Sequence, residues 1–163
     1  MCIVADILRT KGDNVIAIGP AATVLEAART MNVHHIGALV VTETGVHTRA
    51  ALESDGPKSF SEADHGVLGI ITERDIMTRV VAAEREPRDV RVGQVMTSPV
   101  VTCSTQTPLD EVRTFMRQRR IRHMPVISAH GLCGMISIGD LNTAHAQVME
   151  ETIRYLETYM YHG

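Results

Sequence analysis

Apolar positions along this chain fall into helical and strand rhythms, and the same succession of rhythms occurs twice. Val4, Ile7 and Leu8 mark one face of a short helix that stops near Gly12, and Val92-Gly93-Gln94-Val95-Met96 repeats that spacing. Asn14-Val15-Ile16-Ala17-Ile18-Gly19-Pro20 reads as a strand closed by a Gly-Pro turn; Pro99-Val100-Val101-Thr102-Cys103 is its counterpart. Thr23 opens a helix carried by Val24, Leu25, Ala28 and Met31. The matching helix starts at Thr107-Pro108, with Leu109, Val112, Phe115 and Met116 as its stripe and Pro108 expected in the first turn. The next strands are Ile36-Gly37-Ala38-Leu39-Val40-Val41 and Ile121-Arg122-His123-Met124-Pro125-Val126-Ile127. Gly69-Ile70-Ile71 and Gly134-Met135-Ile136 follow as buried strands. Each leads into a helical pattern, Ile76/Val80/Ala83 in one half and Leu141/Ala144/Val148 in the other. Each half thus predicts β-α-β-β-α behind a short leading helix. The fold class is α/β (α+β), two such units packed as a pseudo-two-fold pair.

The closest internal match is Gly66-Val67-Leu68-Gly69-Ile70-Ile71-Thr72-Glu73-Arg74-Asp75-Ile76 against Gly131-Leu132-Cys133-Gly134-Met135-Ile136-Ser137-Ile138-Gly139-Asp140-Leu141. Two copies make no solenoid. A hydroxyl residue three positions before an acid, ahead of an apolar helix, is a capping-box signature. Its recurrence also fits ligand recognition. A strand-to-helix turn aims free N–H groups at an anion, and the acid can accept two hydrogen bonds from a vicinal diol such as a ribose. As caps alone, Asp75 and Asp140 should tolerate Asn without loss of stability, because Asn caps equally well.

The halves differ in one loop. A tight turn around Ser128-Ala129-His130 serves the second half, whereas residues 44–65 are expected to form a mobile surface insertion, a lid or a partner-binding loop. Glu84-Arg85-Glu86-Pro87-Arg88-Asp89 is a charged linker. The units are therefore 3–83 for the first repeat, 92–148 for the second, and 149–163 for a C-terminal helix. Met149, Ile153, Leu156 and Met160 share one face of that helix, which must bury against its own domain or a second chain.

Composition narrows the function. Hydrophobic residues make up 44% of the 163 positions, enough for a core, but aromatics are 3% with no Trp. Stacking platforms for single-stranded nucleic acid are therefore scarce. A net charge of −3 supplies no footprint for duplex DNA. No run is apolar enough to span a bilayer, and Met1-Cys2-Ile3-Val4-Ala5 is too short for a signal peptide. Cys2, Cys103 and Cys133 lack Cys-x-x-Cys spacing, which suits a reduced, cytoplasmic setting. His34-His35 point to opposite faces if in a strand and have no third ligand nearby, so no metal site is expected. Cys103 has no visible base, and the chain shows no nucleophile–base pair or P-loop, so no catalytic residue is assigned. In Arg117-Gln118-Arg119-Arg120-Ile121-Arg122, Arg117 and Arg119 read as solvated cations at a helix C-terminus.

The two glycine-to-aspartate segments, with Arg119-Arg120-Ile121-Arg122-His123-Met124-Pro125-Val126 and the lead-in Val95-Met96-Thr97-Ser98-Pro99, resemble a tandem pair of CBS domains, the Bateman module. The resemblance spans about residues 3–147 and is similar to small stand-alone bacterial CBS-pair proteins. It implies adenine nucleotides (AMP, ADP, ATP, NAD(H) or S-adenosylmethionine) in clefts between the repeats. It gives Asp75 and Asp140 the ribose, with Thr72 and Ser137 beside them. Ile16, Ile36 and Met135 would surround adenine in one cleft, and Val101, Arg122 and Ile70 in the other. Arg74, Arg122 and His123 are the phosphate candidates, His123 having a packed core histidine as its other reading. Gly37, Ala38, Thr97, Met124, Pro125 and Gly139 complete the implied lining. Gly139 stands where the first motif has Arg74, and Ile36-Gly37 where the other half has Arg122-His123, so the clefts are expected to differ.

The implied role is a non-enzymatic, regulatory, energy-sensing module, a homodimer that signals to an unknown downstream protein. The alternative is an interaction or structural CBS pair with little ligand affinity.

Overall fold

The computed structural model describes residues 2–12, 15–45, 61–62 and 66–161. The first half carries α1 (Val4–Lys11), β1 (Ala17–Ile18), α2 (Val24–His34), β2 (Ala38–Thr42), β3 (Ser61–Glu62), β4 (Val67–Thr72) and α3 (Glu73–Ile76). The second carries α4 (Val92–Val95), β5 (Val101–Ser104), α5 (Leu109–Arg119), β6 (His123–Ser128), β7 (Gly131–Ser137) and α6 (Ile138–Tyr161). In each half two parallel strands, β1/β2 or β5/β6, are joined through a helix, and an antiparallel strand, β4 or β7, completes the sheet. The two hairpins share a bulge at equivalent places, Val41/Thr42 and Val126/Ile127. This is the mixed α/β pair of repeats that the periodicity predicts.

Local chemistry sets most boundaries. Thr23 caps α2 by accepting from the Glu26 N–H, while Glu26 accepts from the Thr23 N–H at 2.7 Å. At α5 the expectation shifts by one residue. Pro108 is the extended cap rather than the first helical residue, and the Thr107 hydroxyl accepts from the Ser104 N–H at 3.1 Å instead of capping the helix. Both α2 and α5 end on a left-handed residue, His35 (φ 53) and Arg120 (φ 54). The first strand, expected over the five residues ahead of the Gly19-Pro20 turn, is shorter, with two residues, Ala17–Ile18. Beyond Ile76 the helix widens into a π turn, Met77–Val81. The tail is no separate helix: α6 runs unbroken for 24 residues from Ile138.

The lead helices do something the sequence does not foretell: each joins the other half's core. Val4, Ile7 and Leu8 of α1 lie among Cys103, Val112, Met116, Met124, Ile136 and Leu141. Val92 and Val95 of α4 lie among Ile18, Val24, Leu39, Val41 and Ile71. The backbone ties repeat with the same logic. The Val4 and Ala5 N–H groups donate to Thr107 and Thr105 carbonyls, as Val92 and Gly93 donate to Ala22 and Pro20. The paired glycines are the seats for this exchange. A Cβ on Gly134 would lie 2.7 Å from Leu8 Cδ2, and one on Gly69 would lie 2.7 Å from the Thr97 carbonyl oxygen and 2.9 Å from Met96 Sδ. A third cluster seals the halves together, with Val15, Ala38, Val40, Val67 and Ile70 against Val100, Leu132 and Met135.

The insertion also crosses over. Ser61–Glu62 pairs antiparallel with Val101–Thr102 and adds an edge strand to the second sheet, where the sequence suggested only irregular loop. The mobility expected of residues 44–65 otherwise falls mainly on positions outside those described.

Because Leu8 is 1% exposed and sits in the second core, Leu8→Ala should destabilise the whole chain by about 2–5 kcal/mol. Denaturant unfolding followed by circular dichroism is the measurement. Loss of only a fraying α1, with the main transition unmoved, would show that the helix is an appendage.

Candidate functional site

The first motif, at the turn from β4 into α3, builds a tight carboxylate site. Asp75 Oδ2 accepts from the Thr72 N–H (2.9 Å) and the Thr72 hydroxyl (2.8 Å), and the Asp75 N–H donates back to Thr72 Oγ1. Asp75 Oδ1 accepts from the Thr97 hydroxyl at 3.0 Å, and Arg79 Nη1 stands 3.4 Å away. Thr97 is held there because Ile70 and Thr97 exchange backbone hydrogen bonds in an isolated bridge. Asp75 is 6% exposed. A carboxylate so placed spends nearly all its acceptor capacity on the chain's own donors. The capping box predicted from sequence is real at both motifs, and at Asp75 it comes with a further partner.

Around Asp75 lies a cavity of about 350 Å³. It gathers Gly37, Ile70, Thr72, Arg74, Asp75, Thr97, Val101, Arg122 and His123, half of the residues assigned from sequence, from both repeats. Four residues not foreseen there complete its polar and aromatic wall: Glu73, Phe115, Arg119 and Arg120. Arg119 is the exposed cation in the last turn of α5 that the sequence indicated, and from there it also lines the cavity and lies 5.6 Å over the Phe115 ring. The left-handed Arg120 turns the chain out of α5, so that Arg119 to His123 run along the cavity wall. Arg74 Nη1 reaches the Arg120 carbonyl at 3.4 Å, linking the first motif to this basic segment.

His123 is partly buried, and burial pulls its imidazole below the ordinary value of 6.5, helped by the Lys11 cation. Glu73 and Asp140 oppose this, and Arg122 adds to it. The ring is therefore mainly neutral at pH 7. A depressed histidine takes up protons more readily when unfolded, so its contribution to stability is full above about pH 6.5 and falls as pH drops towards its folded value.

The second motif has the same cap and a different neighbour. Asp140 Oδ2 accepts from the Ser137 N–H and hydroxyl, each at 2.7 Å, and also from Lys11 Nζ at 2.7 Å. Lys11 Nζ further donates to the Met135 carbonyl at 3.3 Å. Burial pushes the Asp140 carboxyl up, but the Lys11 and Ser137 hydrogen bonds outweigh it and hold the group below its usual range. Lys11 escapes sequence reasoning because it lies in the other repeat and reaches Asp140 only through the lead-helix exchange.

Strand register corrects the pairing between halves by one residue. Ala38 pairs with Thr72 as His123 pairs with Ser137, and Glu73 N–H donates to the Gly37 carbonyl as Ile138 N–H donates to that of Arg122. Gly37 and Ala38, not Ile36 and Gly37, therefore occupy the places of Arg122 and His123. Ile36 lines an adjoining open hollow with Met31, His35, Ile76 and Met77, which shares Gly37, Glu73 and His123 with the cavity at Asp75. Ile16 is packed on the first core, Ala38 and Met135 belong to the cluster between halves, and Met124 lies in the second core. Pro125 pairs with Met135 in the β6/β7 ladder, and Gly139 sits in the first turn of α6. Burial, with the neighbouring Cys133, pushes the Cys103 thiol up to about 12. Among the described residues, no three His, Cys, Asp or Glu side chains cluster at metal-binding distance, and no helix is long and apolar enough to cross a membrane.

The family profile for the CBS domain matches residues 4–47 and 92–146. The CBS domain-containing protein CBSX3, mitochondrial, of Arabidopsis thaliana is 30% identical over 98% of this chain and 72% of its own length. A crystal structure of a CBS-domain containing protein from Agrobacterium tumefaciens superposes with a TM-score of 0.70 at 36% identity, covering 88% of this chain and 98% of that one. A hexameric CBS-CP12 protein from bloom-forming cyanobacteria superposes with a TM-score of 0.66 at 28% identity, covering 86% of this chain and 69% of that one.

The saturated Asp75 carboxylate revises the expectation that Asn is a neutral replacement. An Asn amide can keep its oxygen on the Thr72 N–H and hydroxyl, but its NH2 then faces the Thr97 hydroxyl, which must turn to accept, and the Arg79 cation, which loses its partner, so Asp75→Asn should cost about 1–3 kcal/mol. Thermal unfolding of the ligand-free protein checks this, and an unchanged melting temperature would show that the local network rearranges freely.

Proposed function

The chain belongs to the CBS-domain family, and from that premise we propose that it is a non-enzymatic sensor of an adenine nucleotide bound in the cleft at Asp75. One observation carries the reading. A single cavity combines a carboxylate flanked by hydroxyls, an apolar and aromatic lining, and four arginines. A ribose diol, a flat base and phosphate ask for those three environments in turn. About 350 Å³ lies near the lower end of the range of small-molecule sites, roughly 300–1,000 Å³. The open hollow at Ile36 adjoins the cavity through Gly37, Glu73 and His123, so the candidate ligands are AMP, ADP, ATP and NAD(H) alike. The Thr97 hydroxyl is a rotor that both donates and accepts, so it can release Asp75 Oδ1 to a ribose hydroxyl without leaving a charge unpaired.

The cavity draws its walls from both repeats, so a ligand there bears on how the halves sit. Any signal requires that the nucleotide bind one arrangement more tightly than another. The receiver is a downstream protein or a second copy of the chain. The buried Cys103 thiol supports a role without nucleophilic chemistry, and the free cysteines suit a reducing, cytoplasmic compartment.

Titration calorimetry with ADP and 2′-deoxy-ADP tests the ribose contact. The deoxy ligand should bind roughly 10- to 150-fold more weakly, the worth of one hydrogen bond to a charged group. Equal affinity would remove Asp75 from ribose recognition. No binding of AMP, ADP, ATP or NAD would favour an interaction module in which both carboxylates serve the fold alone.

We also propose a homodimer that uses α6. Met149, Ile153, Leu156 and Met160 are each more than half exposed and lie at coiled-coil spacing. Glu150 and Glu157 flank that stripe on one side. An antiparallel pair of α6 helices would set these glutamates against each other, whereas a parallel pair sets Glu150 opposite His145 and Glu157 opposite Thr152, which favours the parallel arrangement. Sedimentation at micromolar concentration should give a dimer, and Ile153→Asp with Leu156→Asp should weaken it. A monomer in the unmutated protein would dismiss this assembly.

A further inference from the structure

We propose that Lys11 is a built-in occupant of the second cleft, and that each chain therefore takes one nucleotide, at Asp75, rather than two. The inference rests on the reading above, in which a motif aspartate accepts a ribose diol. The two aspartates are equivalent by position and by cap, since each takes the N–H and hydroxyl of the residue three places before it. They differ in what else faces them.

At Asp140 the extra partner is an ammonium. Lys11 Nζ lies 2.7 Å from Oδ2 and 3.3 Å from the Met135 carbonyl oxygen, so it bridges the carboxylate to β7, the strand that leads into it. The Asp140 side chain is only 19% exposed, which strengthens a charge-assisted contact. A diol that is to engage both carboxylate oxygens must displace a donor from Oδ2, which already takes three, one of them the Lys11 cation. Lys11 is well placed to stay. It closes the last turn of α1, where the helix dipole favours a cation, and α1 is anchored in the second core through Leu8.

At Asp75 no ammonium intervenes. The group on Oδ1 is the neutral Thr97 hydroxyl. Arg79 is a cation, but its Nη1 donates to the Val95 and Met96 carbonyls at 2.7 and 2.8 Å and approaches Asp75 only to 3.4 Å. It balances charge from the side and leaves the cavity open. The cation balance of the two motifs is thus inverted. The first has its own Arg74 lining an open cavity, while the second has Gly139 at that position and receives its positive charge from α1.

Titration calorimetry of ADP into the full chain and into Lys11→Met is the test. Methionine keeps much of the aliphatic stem and removes the charge. One site per chain is expected in the unmutated protein and two in Lys11→Met, the added site vanishing when Asp140→Asn is combined with it. Two sites in the unmutated protein, or one site in both, would overturn the proposal while leaving nucleotide binding at Asp75 intact. Absence of ADP binding in both proteins would overturn the sensor reading, and this inference with it. A ligand-free readout guards against a loosened α1: carboxyl carbon NMR should show Asp140 titrating at higher pH in both Lys11→Met and Lys11→Gln, and an unmoved titration would mean that the pair does not form.

Discussion

Exchange of the lead helices is the constraint on which the rest of the molecule depends. Leu8 presses on Gly134 and Met96 on Gly69, each across the boundary between repeats. Neither half has a finished hydrophobic core until the other half's helix arrives. The two repeats are thereby bound to fold as one cooperative unit, although each has its own sheet. The same crossing places Thr97 beside Asp75 and Lys11 beside Asp140, so both motif carboxylates complete their shells with residues from outside their own strand-turn-helix segment.

Electrostatics then separates two sites that geometry makes alike. The β2/β4 and β6/β7 hairpins match residue for residue, down to the bulge. On that common frame Gly37 offers no side chain where Arg122 offers a guanidinium, and Ala38 stands where His123 stands. The cavity at Asp75 is furnished mainly by the richer second-half segment, Arg119 to His123. Glycine at position 37 also has a packing reason, because a Cβ there would lie 3.0 Å from Glu73 Oε2 and 3.5 Å from His123 Cε1.

Much of this was legible in the sequence. Period-two and period-3.6 patterns, Thr23 with Glu26, and the hydroxyl-x-x-Asp motifs report on contacts within a few residues, and such contacts form as the local pattern requires. What escaped depends on residues far apart in the chain. The exchange of α1 and α4 leaves no local trace, since an amphipathic helix reads the same whichever core receives it. Arg119 is the exposed cation at a helix end that the sequence indicated, but its place on the cavity wall was not legible, because the left-handed turn at Arg120, a conformation rarely signalled by arginine, brings that segment to the cavity. The offset of one residue between Ile36-Gly37 and the true equivalents arose because Gly37-Ala38 and Arg122-His123 share no residue type, so only the ladder pairing fixes their register.

The unbroken length of α6 gives the second motif a mechanical property that the first lacks. Asp140 sits in the first turn of a rod of 24 residues, about 36 Å at 1.5 Å per residue, whose last turns stand clear of the domain. A tilt of about 3° at its root carries the far end through about 2 Å. The helix after Asp75 runs four residues before it widens into a π turn that ends at Val81, so no rod of comparable length starts from that motif. The molecule therefore has one long lever and one short stub built on the same motif.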